Sequence, residues 1–131
     1  YARSYMFSTA MPPAAAASLI AAIDVIENEP ELRQRLWYNI NYMTTNLKKL
    51  GFDLGNAETA ILPIIISDED KLRKVSRFVH EAGVFVNPVY YPAVPKGLSR
   101  LRLSLMATHT QEDLDTTLNA IEEAARKFDV I

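Results

Sequence analysis

Arg100-Leu101-Arg102-Leu103-Ser104-Leu105 alternates strictly between polar and apolar side chains, and Thr110-Gln111-Glu112-Asp113 follows shortly after it. A period of two puts the three leucines on one face of a strand and Arg100, Arg102 and Ser104 on the other, so this is a half-buried strand. Thr110 with Asp113 three residues on has the form of a capping box, and Leu114, Leu118, Ile121, Ala125 and Phe128 then define one face of a closing helix. The unit is a one-sided strand feeding an amphipathic helix, and it points to helices layered on a small sheet.

Upstream of that unit, Asn87 to Gly97 carries Pro88, Pro92 and Pro95 with Tyr90 and Tyr91. Such a stretch predicts a stiff, irregular loop, well placed to wall a pocket. Val84-Phe85-Val86 before it reads as extended. Further back, Ser67 with Asp70 resembles a helix start, Leu72, Val75, Phe78, Val79 and Ala82 share a face, and Gly83 stops the helix. Ile61-Leu62-Pro63-Ile64-Ile65-Ile66 is short and β-branched, and its proline places it near a sheet edge or at the strand's first pairing positions. Leu32, Leu36, Ile40, Met43, Leu47 and Leu50 recur at helical spacing up to Gly51, while Pro12-Pro13 opens an earlier helix through Ala14 to Ala17, Leu19, Ile20, Ile23 and Ile26. That earlier helix is apolar nearly all round, so it is expected to be buried on more than one face in a parent dimer and partly exposed in this stretch alone. The predicted order is helix, helix, strand, helix, strand, loop, strand, helix: a two-layer α/β (α+β) architecture.

Composition narrows the functional classes. The 131 residues hold 14 basic and 16 acidic side chains, a net charge of -2, so no strong field favours nucleic acid or an anionic membrane. The 49% hydrophobic content suffices for one core. The absence of cysteine removes disulfides, thiolate metal sites and cysteine nucleophiles, and a cytoplasmic setting is the simplest expectation. The first residues lack the pattern of a secretory signal, and no apolar run approaches the roughly 20 residues of a membrane span. The chain opens without methionine inside an aromatic segment, as a piece of a longer protein would.

Few side chains suggest chemistry. Arg102 is either a solvated charge on a strand's outer face or a carboxylate receptor, because a guanidinium offers a planar fork of donors that matches two carboxylate oxygens. Arg100 shares the face and is the alternative receptor. His109 reads as a tie between strand end and helix start, and His80 as a surface or boundary residue; without clustered carboxylates they give no metal signature. Ser8 and Thr9 stand before the first helix, where hydroxyls cap the helix or help its free N–H groups hold a phosphate.

Four segments carry a family resemblance: Tyr5-Met6-Phe7-Ser8-Thr9-Ala10-Met11-Pro12-Pro13-Ala14, Gly83 to Val89, Pro92-Ala93-Val94-Pro95, and Arg102-Leu103-Ser104-Leu105-Met106-Ala107-Thr108-His109-Thr110. In order and spacing the whole chain resembles the α-oxoamine synthases, the family that includes serine palmitoyltransferase, 8-amino-7-oxononanoate synthase, 2-amino-3-ketobutyrate CoA ligase and 5-aminolevulinate synthase. The resemblance implies the C-terminal small domain of a type I PLP-dependent aminotransferase-like fold, with residues 1–30 ending the large domain and residues 31–131 forming the small one. It implies pyridoxal 5'-phosphate as cofactor, an amino acid and an acyl-CoA as substrates joined with decarboxylation, and a homodimer. Arg102 would bind the amino-acid carboxylate, and Ser8 and Thr9 the cofactor phosphate of the neighbouring subunit. None of the lysines at 48, 49, 71, 74, 96 and 127 sits in the family's Schiff-base context, so no catalytic residue is expected in this stretch, which alone would be inactive. Tyr90 and Tyr91 stand where the oxononanoate synthases often carry a basic residue. A stand-alone ligand-binding or dimerisation module derived from such a domain is the competing expectation.

Overall fold

The computed structural model describes residues 9–131. Helix α1 (Pro13–Asn28) and helix α2 (Pro30–Lys49) come first, followed by strand β1 (Ile61–Ile65), helix α3 (Glu69–Glu81), strands β2 (Asn87–Val89) and β3 (Arg100–Ser104), and helix α4 (Gln111–Lys127). The sheet order is β1-β3-β2, with β3 antiparallel to both neighbours. Strands β1 and β2 therefore run parallel to each other across α3, with β3 inserted between them, a split β-α-β arrangement. Pro63 lies on an edge strand, where its missing N–H breaks no central ladder.

The alternation read from the sequence holds. Leu101, Leu103 and Leu105 are buried with Leu62, Ile64 and Ile66 of the β1 segment, and they meet Leu72, Val75 and Val79 of α3 and Leu114, Ile121, Ala124 and Ala125 of α4. Met43 and Leu47 of α2 complete this core. Beyond it, Tyr42 donates to the Asp115 carboxylate and Tyr38 to Gln111, joining α2 to α4 through polar contacts. The Asp115 contact holds the Tyr42 proton and raises that phenol above its ordinary value.

Two local readings need correction, at the start of α3 and at the strand after it. The cap of α3 is Asp68, whose carboxylate accepts from the backbone N–H of Asp70 and Lys71, and Ser67 lies outside the helix start. One residue decides this because a carboxylate one position on reaches two free N–H groups. The extended run Val84-Phe85-Val86 is not laddered; the strand is instead the first three residues of the expected loop, Asn87–Val89, which pair with Arg102, Leu101 and Arg100 despite Pro88. Helix α1 has no buried residue, and Leu19, Ile20, Ile23 and Ile26 are all exposed. Its all-round apolar sequence thus has no cover among the described residues.

The Thr110 capping box is present in full: the Thr110 hydroxyl accepts from Asp113 N–H, and the Asp113 carboxylate accepts from Thr110 N–H. Replacing Thr110 by alanine should cost about 1 kcal/mol, read as a lowered thermal midpoint. Asp113 is held below its ordinary value first by the Thr110 N–H, and Asp68 first by the Lys71 N–H. Because the folded-state value is the lower one, each contributes stability above the ordinary carboxylate value of 3.8 and loses it as pH falls through the depressed value. A double variant, Asp68→Asn with Asp113→Asn, should melt below wild type at neutral pH and converge with it well under pH 3.8. A melting difference that stays constant with pH would contradict this.

Candidate functional site

Beyond Arg102 the β2 side of β3 is unpaired, since β2 covers only Arg100 to Arg102. The gap opens into a cleft of about 550 Å³. Gly83 to Asn87 form one wall, Arg102 to Met106 the floor, and Glu112, Asp113, Leu114, Thr116 and Thr117 of α4, with His109, the other wall. Of the stretch 87–97 expected to wall the pocket, Asn87 alone lines the cleft; Tyr90 packs against the core, and Tyr91 is exposed with Lys96 over its ring.

Each wall has a specific support. Gly83 adopts a positive φ of 85°, which suits glycine and turns the chain out of α3. The His80 ring then contacts both the carbonyl oxygen of Val86, at 2.7 Å, and its N–H, at 3.2 Å, and it stacks on Phe85. His80 is therefore the tie that holds the Val84–Val86 wall. On the opposite side, His109 Nδ1 accepts from Met106 N–H, as a link between strand end and helix start was expected to do. Asn39 was not singled out in the sequence. It is buried on α2 and donates to the carbonyl oxygens of Met106 and His109, fixing the same turn. Its one visible signal is a polar residue beside Ile40 on the apolar stripe of α2.

The two arginines of β3 separate here. Arg100 Nε donates to the Leu98 carbonyl oxygen and does not line the cleft. Arg102 lines it, is exposed, and among the described residues has no ion-pair or hydrogen-bond partner. No lysine lines the cleft. Arg102 thus presents a free guanidinium fork to a cleft whose α4 wall carries the carboxylates of Glu112 and Asp113, and the lining offers no amine for covalent attachment.

Ser8 lies outside the described residues. Thr9 is exposed ahead of α1, whose N-cap position is Pro12, and among the described residues no side chain caps that end. Thr9 is thus no helix cap. His80 and His109 have structural contacts, and no group of three or more potential metal ligands occurs among the described residues.

Residues 1–121 match the family described as aminotransferase class I and II. The chain belongs to that family. The similarity extends to serine palmitoyltransferase of Bacteriovorax stolpii, 44% identical over 98% of this chain and 31% of that enzyme. It extends equally to 8-amino-7-oxononanoate synthase of Thermoanaerobacter pseudethanolicus, 44% identical over 98% of this chain and 33% of that enzyme. Among solved structures, serine palmitoyltransferase from S. paucimobilis with bound PLP-myriocin aldimine superimposes with a TM-score of 0.86 at 32% identity, covering 98% of this chain and 33% of that one. These relatives bear out the α-oxoamine synthase resemblance and the small-domain fold. The chain spans about a third of the length of the curated relatives it matches.

Proposed function

We propose that this chain is the C-terminal part of a PLP-dependent acyltransferase that condenses an amino acid with an acyl-CoA and releases carbon dioxide. The observation that carries the reading is Arg102: unpaired among the described residues, exposed, and on the floor of a cleft within a sequence related to serine palmitoyltransferase and 8-amino-7-oxononanoate synthase. Residues 1–30 would then end the large domain and residues 31–131 form the small domain, a division that falls within one residue of the start of α2 at Pro30.

The chemistry of the cleft fits the substrate half of such a site. Arg102 binds the amino-acid carboxylate through its fork, and the strand beneath it limits how far the fork swings. Holding the carboxylate also fixes which bond at the amino acid's Cα stands perpendicular to the cofactor ring, so Arg102 has an orienting role beyond affinity. Thr9, with Ser8, would hold the cofactor phosphate of a neighbouring subunit at the uncapped start of α1. Pyridoxal phosphate supplies the electron sink for bond making and breaking at Cα, and its anchoring lysine would come from outside this chain.

The exposed apolar surface of α1, Leu19, Ile20, Ile23 and Ile26, supports a homodimer in which the large domain and partner cover it. By the same reasoning, residues 1–131 expressed alone should self-associate, and a monomeric sedimentation profile over a wide concentration range would count against this. Among the described residues no helix is long and apolar enough to cross a membrane.

The test uses the full-length, cofactor-loaded protein, glycine, L-alanine and L-serine, and a series of acyl-CoA thioesters of increasing length. Free CoA thiol and carbon dioxide should appear in equal amounts with at least one pair. Amino-group transfer to a keto acid without thiol release would overturn the reading.

A further inference from the structure

The register of β2 against β3 places Asn87 directly opposite Arg102. Cross-strand partners project to the same face of a sheet with their Cβ atoms roughly 5 Å apart, so these two side chains share the outer face. Both line the cleft. Asn87 is half-buried, and among the described residues its amide, like the Arg102 guanidinium, enters no hydrogen bond. A half-buried amide with both donors and its acceptor uncommitted, beside an unpaired guanidinium, is a recognition surface.

We propose that Asn87 is the second carboxylate contact of the site: its NH2 donates to one oxygen of the amino-acid carboxylate while Arg102 takes the other or both. The inference rests on the proposed role of Arg102 and adds a residue that fixes the rotation of the carboxylate about its bond to Cα. A point charge tolerates rotation. A fork and an amide on adjacent strands converge from two directions and define a plane. The side chain also matters for what it is not. An aspartate at this position would pair with Arg102, cancel its charge and repel the substrate, so an uncharged amide leaves the guanidinium available.

The experiment compares full-length, cofactor-loaded wild type with Asn87→Ala, Asn87→Asp and Arg102→Ala, and follows binding by the absorbance change of the cofactor. The ligands are glycine, L-alanine and L-serine, together with methylamine, ethylamine and ethanolamine as their counterparts lacking the carboxylate. Asn87→Ala should weaken amino-acid binding by roughly tenfold, the range of one hydrogen bond to a charged group, and leave the amines unchanged. Asn87→Asp, close to isosteric and therefore a check on folding, should weaken amino-acid binding at least as much. If Arg102→Ala loses affinity while both Asn87 variants bind as wild type, the inference falls and the role of Arg102 stands. If the Asn87 variants weaken the amines as much as the amino acids, Asn87 is only structural and the inference is overturned. If none of the three variants changes amino-acid binding, the carboxylate site itself is misplaced and both fall.

Discussion

If Arg102 has the proposed role, Arg102→Ala in the full-length protein should lower amino-acid affinity by roughly ten- to a hundredfold while leaving cofactor attachment intact, because a charge-assisted contact to a carboxylate contributes about 1.5 to 3 kcal/mol. A further loss in turnover is expected if the amino acid rotates once its carboxylate is released, since misorientation at Cα affects the reacting bond more than binding. Arg102→Lys should lie nearer alanine than wild type: an ammonium restores the charge and not the planar fork. Arg100→Ala is the internal comparison. It shares the strand face, but its guanidinium is engaged with the Leu98 carbonyl oxygen, so its loss should loosen the turn before β3 and spare substrate binding. Absorbance titration with amino acid separates the variants. Normal binding by Arg102→Ala with impaired binding by Arg100→Ala would exchange their roles.

The largest expected effect on stability comes from the opposite face of the same strand. Leu101 is 0% exposed on the central strand of the sheet, between Ile64 of β1 and Pro88 of β2, and belongs to the core formed with α3 and α4. Truncation to alanine removes buried methyl groups and leaves a void that neighbours on three elements can only partly fill. The expected cost is about 2 to 5 kcal/mol. Ile61, 48% exposed on the edge strand, has the same chemistry without the enclosure, and Ile61→Ala should cost no more than about 0.5 kcal/mol, as surface substitutions do. Chemical denaturation followed by a probe within residues 31–131 measures both. Equal losses would mean that β3 is not the centre of the core.

What was legible in the sequence was whatever repeats with a period. The two-residue alternation of Arg100 to Leu105 gave both the buried leucines and the outward arginines, and the three-and-four spacing of Leu36, Ile40, Met43 and Leu47 gave the inner face of α2. Capping chemistry was legible where side chain and register agreed, at Thr110, and displaced by one residue where Ser67 and Asp68 competed for the same helix end. Non-local pairing was not legible. Nothing in Asn87-Pro88-Val89 alone distinguishes a loop from a strand; its pairing partners lie at Arg100 to Arg102, across the proline-rich turn. The cleft wall and Asn87 were missed with it. The nearly all-apolar α1 was correctly recognised as a helix, but its expected cover is not provided by residues 9–131. Hydrophobicity shows that a surface wants covering; it does not name the covering surface.

If Arg102 has the proposed role, the cleft receives the carboxylate of an amino acid, and a crystal structure of the full-length, cofactor-loaded protein with its amino acid would show it. The carboxylate should then lie on the Arg102 guanidinium at about 2.7 to 2.9 Å, the range of charge-assisted pairs, with the Asn87 amide on the same group. A carboxylate held by Arg100, or by residues outside the cleft with Arg102 turned to solvent, would contradict it.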